Sequence, residues 1–241
     1  MNNVIDAQTN MPATFNLASI RSYRWALIDA MMAEEGLDAL VLSSNDQILF
    51  VGGLQLSAHY WERPFALIYR PGEMPVILVN QVSENGLQMQ FEKGMSWIGD
   101  IRCYSEVPRA TERLWTVLQF DRFLAETLTD IGLAKAKIGI DAKTVHVQRA
   151  LDRLPAVQTQ ATGEMLTVLR RVKCKAEFDI LRAAASLGDY AMERVCAGIG
   201  ARANLQELDA IVVAETLREA GKRLPGSNFQ IAKLLTLCGP P

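Results

Sequence analysis

The stretch FALIYRPGEMPVILV, residues 65–79, constrains the fold more than any other part of the chain. Two apolar runs flank Pro71-Gly72, each too short for a stable helix, and the pattern is that of a hairpin of buried strands. Strands that are apolar on both faces need partners at their edges and cover above and below. The flanking sequence supplies candidates. LDALVLSS (37–44) reads as a buried strand, and ILFV (48–51), after the turn SSND, as a second. SWIGDIRCY (96–104) and AKIGID (136–141) read as two more. Between them lie helical patterns. Ile20, Tyr23, Leu27 and Met31 recur at three- and four-residue steps, with Gly36 as the C′ residue of that helix. QVSENGLQMQFEKG (81–94) is a short helix, residues 112–131 form a longer one, and Thr144 is placed to cap the next. The prediction is a mixed α/β domain with a β centre, whose core holds Leu40, Val41, Leu42, Leu67, Ile68, Ile77, Leu78 and Ile138.

The organisation divides near Pro155. Residues 1–16 are polar and aperiodic and read as a disordered arm, 17–155 as the α/β domain, and 156–241 as a second piece. In the second piece AVQTQATG (156–163) is polar and extended. Residues 164–199 are helical with a break at Val172 to Lys175, and 203–221 form a further amphipathic helix ended by Gly221. The chain closes on SNFQIAKLLTLCGPP, where 229–237 reads as a buried strand and Gly239-Pro240-Pro241 as the loop leaving it. Two helices and one strand enclose little core, so this piece reads as the opening of a larger unit.

Composition narrows the function classes. In 241 residues, 49% hydrophobic content is ample for a core, and a net charge of −2 with interspersed signs leaves no nucleic-acid footprint or membrane-binding basic face. The N-terminus has no basic n-region and no apolar h-region, no window approaches a transmembrane span, and the expected location is cytoplasmic. Cys103, Cys174, Cys196 and Cys238 are widely spaced and are expected as reduced, buried thiols. His59 and His146, the two histidines, stand 87 positions apart in no H-x-x-x-H pair, so no metal-ligand set is visible, and there is no nucleophile elbow. GIGARA (198–203) matches G-x-G-x-x-A but follows a helix rather than a strand, which makes it a glycine-rich link. Lys175 and Asp179 are spaced for an i,i+4 pair.

One polar cluster remains, SAHYWERP (57–64), in the loop before the hairpin. His59, Trp61 and Arg63 put a titratable ring, an indole and a guanidinium together, a set suited to a carboxylate-bearing ligand. The plain alternative is a surface loop with Trp61 tucked into the core and Arg63 paired to Glu62 or a neighbour.

Taken in order, these segments resemble the creatinase and aminopeptidase P (Xaa-Pro peptidase) family of metallohydrolases. RSYRWALIDAMMAEEGLDALVL (21–42) is similar to its N-terminal opening, and SNDQILFVGG (44–53) to its N-x-x-Y-x-x-G segment with Phe50 in place of tyrosine. ERPFALIYRPG and MPVILV resemble its next hairpin. LRRVKCKAEFDILRAAASLGDYAM (169–192) resembles the helical start of its catalytic domain, with Phe178 at the usual isoleucine. ARANLQELD (201–209) departs from the Gly and Thr-Glu common between the two helices, which puts a standard proline peptidase in doubt. The resemblance implies a mixed-sheet creatinase-type N-terminal domain followed by an incomplete α+β pita-bread domain, in a homodimer. It further implies two divalent metals (manganese, cobalt or zinc) held by ligands that come after Pro241. A peptide or small carboxylate would be the substrate, with Trp61 and Arg63 in the aromatic-x-Arg spacing that creatinase uses to hold a substrate carboxylate. Two other readings stay open: a non-catalytic binding module of the same fold, and a member with lyase or amidinohydrolase chemistry.

Overall fold

The computed structural model describes residues 15–56, 63–105, 113–199 and 204–227, with the side chains of 113–118 left aside. Contacts divide it into a unit spanning Leu17–Lys173 and a second whose described helices lie beyond Cys174.

The first unit is built on one six-stranded sheet. Its strands are β1 (Ala39–Leu42), β2 (Ala66–Tyr69), β3 (Val76–Asn80), β4 (Asp100–Tyr104), β5 (Lys137–Ile140) and β6 (Gln158–Ala161), in the order β4-β3-β2-β1-β5-β6. The expected hairpin is β2–β3, antiparallel with Leu67 opposite Ile77. β2 also runs antiparallel to β1, pairing Val41 with Ile68, while the β1–β5, β5–β6 and β3–β4 pairs are parallel. β2 is therefore the single reversed strand. Alternate residues face opposite layers. Leu40, Leu42, Leu67, Tyr69, Ile77 and Val79 pack under α1 (Leu17–Glu35), α2 (Asn45–Gly52), α3 (Gln81–Glu92) and α6 (Gly163–Leu169). Val41, Ala66, Ile68, Leu78, Ile138 and Ile140 pack on the other side against α4 (Arg113–Asp130) and α5 (Val145–Leu151). All eight predicted core residues are buried. Thr144 caps α5 as expected, its hydroxyl accepting the Val147 amide at 3.2 Å.

Three expectations are corrected. ILFV is not a strand: Ile48, Phe50 and Val51 are buried on α2 while Leu49 is exposed. A four-residue apolar run carries too little period to separate the two structures, and what decides it is flanking chemistry. Ser44 is extended at the N-cap, and Gly53, at φ +63°, takes the left-handed C-cap position. The buried stripe of α1 is Ile20, Ile28 and Met32, so Leu27 and Met31 sit beside it instead of in it. The first unit also runs past Pro155, because QTQA forms β6 beside β5 and Leu166 of α6 enters the core.

In the second unit, α7 (Lys175–Gly198) and α8 (Leu205–Arg223) pack through Leu187, Leu208, Val212 and Ala220. The break expected at 172–175 separates α6 from α7. Glu177 folds back to accept the Cys174 amide at 2.8 Å. Where the Thr-Glu cap was missing, Asn204 does that work, accepting the Glu207 amide at 2.8 Å. α8 continues through Gly221 to Arg223. Asp179 pairs with Arg182 at 3.4 Å. Cys103 and Cys174 are partly buried, but Cys196 is exposed, contrary to the expectation of buried thiols. The expected strand 229–237, Cys238 and the link at 200–203 lie outside the described residues. Among the described residues no helix is long and apolar enough to cross a membrane.

Two buried ionisable groups lie on adjoining helices. Asp121 on α4 is buried with neither carboxylate oxygen hydrogen-bonded, and His146 on α5 is buried with Nδ1 unpartnered. Burial raises the Asp121 pKa, an effect partly opposed by Arg149 and Arg153. Burial, then Arg149, lowers that of His146. The native state thus favours both groups neutral.

This packing yields three testable expectations. Leu40→Ala and Ile138→Ala should each cost about 2–5 kcal/mol in urea unfolding, since both side chains are fully buried and would leave cavities in the core. The His146 contribution is present above its unfolded pKa of about 6.5 and is lost as pH falls through the lower folded value. Acidification from pH 7.5 to 5.5 should therefore lower the urea midpoint, and less so in His146→Gln. The Asp121 contribution has the opposite sense, present below its unfolded pKa and lost as pH rises through the folded one. Asp121→Asn should therefore raise the midpoint at pH 7.

Candidate functional site

Of the three sequence-chosen site residues, Arg63 is described, while His59 and Trp61 lie outside the described residues. Arg63 lines a pocket of about 240 Å³ with Gln55, Leu56, Val82, Ser83, Gly86, Leu87 and Gln90. The sequence around it explains the pocket's shape. After α2 the backbone turns at Gly53, where a Cβ would sit 2.9 Å from Cδ2 of Trp97, so a side chain there would strike the indole. The Trp97 amide donates to the Gly52 carbonyl at 2.7 Å, and Leu54 and Leu56 are buried, which fixes this segment on the sheet's end. Gln55 between them faces solvent. Its amide donates to Gln90 Oε1 and its carbonyl accepts from Gln90 Nε2, both at 3.2 Å.

The other wall is equally fixed. Tyr104 Oη, buried against Phe120, donates to the Pro64 carbonyl at 2.7 Å and holds the segment that carries Arg63 into β2. α3 begins at the pocket. Asn80 caps it, Oδ1 accepting from the Ser83 amide at 3.0 Å and from the Ser83 hydroxyl at 3.2 Å. A guanidinium beside the first turn of a twelve-residue helix suits an anionic group, since both the charge and the helix pole favour it.

A larger cleft, about 590 Å³, opens at the carboxyl ends of β1, β5 and β6. Sequence reading gave Asp141 no role. Here its carboxylate accepts from the Ser43 amide (2.9 Å), the Ser43 hydroxyl (3.2 Å) and the Ser44 amide (2.8 Å), tying the β1–α2 turn to the end of β5. Arg170 pairs with Asp46 at 3.2 Å, and Gln47 Nε2 donates to Thr167 at 3.3 Å. The polar groups of this cleft hold α2 and α6 to the sheet. A serine pair after one strand and an aspartate after another were the only signals, and their pairing across 97–98 positions is invisible without the fold.

Among the described residues no three or more His, Cys, Asp or Glu side chains converge as a metal ligand set. His146 is a buried core histidine, and the Cys103 thiol is pushed up to about 11 by burial and then by Glu84. Neither is equipped for nucleophilic work at neutral pH.

The fold has counterparts among solved structures. The chain is similar to an X-Pro aminopeptidase from Thermotoga maritima, with TM-score 0.61 and 14% identity over 82% of this chain and 49% of that one. A recombinant prolidase from Thermococcus sibiricus gives TM-score 0.58 and 16% identity over 83% and 49%. The dipeptidase PepE of Mycobacterium ulcerans gives 0.55 and 19% over 83% and 50%. The chain spans about half the length of these proteins. No curated protein matches it. The family model described as creatinase/prolidase N-terminal domain matches residues 24–172, which include all six strands. The chain therefore belongs to the creatinase/prolidase N-terminal domain family.

Proposed function

We propose that this chain is the N-terminal portion of a dinuclear-metal hydrolase of the Xaa-Pro peptidase or creatinase type, acting in the cytoplasm as a homodimer. Its task is substrate recognition and dimerisation. The observation that carries the reading is the match across 24–172 together with a chain that spans about half of each X-Pro-directed structure it resembles. In this reading the two divalent metals, manganese, cobalt or zinc, have their ligands beyond the described residues. Among the described residues no side chains assemble a site for them, and no catalytic step is assigned to those residues.

What the chain contributes is charge and position. Arg63, with Trp61 and His59 preceding it in sequence, meets the carboxylate of a peptide or small carboxylate substrate in a cleft completed by the second subunit. The pocket beside α3 supports this: a guanidinium, a hydroxyl and an amide line a space of about 240 Å³, ample for a carboxylate together with the groups that carry it. Contacts of this kind act equally on bound substrate and transition state, so they set affinity rather than turnover.

Two measurements test the proposal. The purified 241-residue chain, given manganese or cobalt and an X-Pro peptide, is expected to release no N-terminal residue. Metal-dependent release lost in a site variant would place the catalytic machinery within this chain and end the reading. In an active protein that carries this domain, Arg63→Ala should raise KM for a carboxylate substrate on the order of tenfold, the loss of one charge-assisted hydrogen bond, with kcat little changed. Unchanged kinetics in a folded variant would return Arg63 to an ordinary surface role.

A further inference from the structure

A side-chain amide that grips both main-chain groups of one residue is a substitute for a strand partner. Gln90 does this to Gln55, accepting from its amide and donating to its carbonyl, both at 3.2 Å. A third contact, Nε2 to the Gly86 carbonyl at 3.4 Å, turns the amide along its own helix and sets it for the other two. Among the described residues Gln55 belongs to no strand, and Gln90 bonds to both of its main-chain groups as a strand neighbour would. The flanking Leu54 and Leu56 are buried, so a displacement of Gln55 would move two core side chains with it. Gln55, Leu56, Gln90 and Arg63 line one pocket.

We infer that Gln90 is a positioning residue for Arg63: by clamping Gln55 it fixes the pocket wall against which the guanidinium is set. The inference rests on the reading of Arg63 as the carboxylate contact, but its geometry is separable from that reading. The two ends of the pocket are held unequally. Tyr104 grips Pro64 through a buried bond, whose loss would disturb the core, whereas Gln90 grips Gln55 at the surface. Truncating Gln90 therefore removes position without removing the fold, which makes it the informative substitution. Reach also matters: Gln90→Leu has no hydrogen bonds to offer, and Gln90→Glu keeps the acceptor for the Gln55 amide but sets a carboxylate oxygen against the Gln55 carbonyl. The effects should follow the order Leu greater than Glu.

The test uses the 241-residue chain by NMR. In Gln90→Leu, exchange of the Gln55 amide should accelerate about threefold to tenfold, as for one solvent-facing hydrogen bond. The Arg63 side-chain Nε resonance should shift, with the thermal midpoint little changed, and Gln90→Glu should fall between. Titration with the dipeptide glycyl-proline should move the Arg63 resonance, and its apparent Kd should rise about threefold to tenfold in Gln90→Leu. If Gln55 exchange accelerates while the Arg63 resonance stays in place, Gln90 is a local staple and the inference is overturned. Unaltered Gln55 exchange overturns it as well. If the Arg63 resonance moves in Gln90→Leu but Arg63→Ala leaves the glycyl-proline response of the other pocket signals intact, the positioning stands and the carboxylate reading falls.

Discussion

Pairing of β1 with both the reversed strand β2 and the parallel strand β5 is the constraint on which the rest of the structure depends. Leu40, Val41 and Leu42 are fully buried and lie between Tyr69, Ile68 and Leu67 on one edge and Ile138 to Ile140 on the other. Every backbone group of such a strand must be paired and both of its faces covered. The hairpin meets the first demand on one side, and the long excursion from β3 through β4 and α4 to β5 meets it on the other. Helices on both faces meet the second. Removing apolar volume from this strand would disturb two layers at once, because its alternate side chains belong to different ones.

That centre was legible for a physical reason. Strands covered on both faces are apolar without interruption, and the hairpin turn at Pro71-Gly72 announces a reversal; Gly72 takes φ +77°, a conformation few other residues adopt. The margins were less legible. β6 reads QTQA because it is an edge strand with one partner and largely exposed side chains, so nothing in its hydrophobicity marks it. α2 was misread for the opposite reason. Its four consecutive apolar residues look like a strand, yet a short helix wedged over a sheet end buries most of its circumference, leaving Asn45, Asp46 and Leu49 exposed. The α1 stripe was displaced by one position because Leu27 and Met31 differ little in apolarity from the Ile28 and Met32 that are buried.

At the candidate site, legibility followed sequence distance. Arg63 stands in a short stretch dense with polar and aromatic residues, which is enough to single it out. The residues that hold the chain on either side of its pocket do not stand near it: Gln90, bonded to Gln55, and Tyr104, bonded to Pro64, follow by roughly thirty and forty positions, and neither carries a motif. Asp141 shows the same thing at the other end of the sheet. An aspartate closing a strand is common, and its grip on two amides across the fold follows only from the parallel β1–β5 register. Side chains that bind can announce themselves by type; side chains that hold the binders in place are defined by geometry.

The two units are held by different means. In the first, apolar clusters are buried on both faces of one sheet, and the exposed apolar groups, such as Val82, Met89 and Phe91 on α3, lie on the outer sides of the helices that cover it. In the second, Leu187, Leu208, Val212 and Ala220 are the buried apolar residues of the described helices, while Phe178, Leu181, Met192 and Ile199 are exposed. The surface pair of Arg194 with Glu215 joins α7 to α8, and that of Arg223 with Glu219 lies along α8 itself, but exposed pairs of this kind contribute little. Arg223 stacking on Tyr190 and its bond to the Ser186 carbonyl add direction more than energy. Hydrophobic burial scales with area, and two helices touching along one seam supply a small part of what an independent domain needs. The helix pair is thus defined by its caps and its seam, while the sheet unit carries buried clusters on both faces of β1.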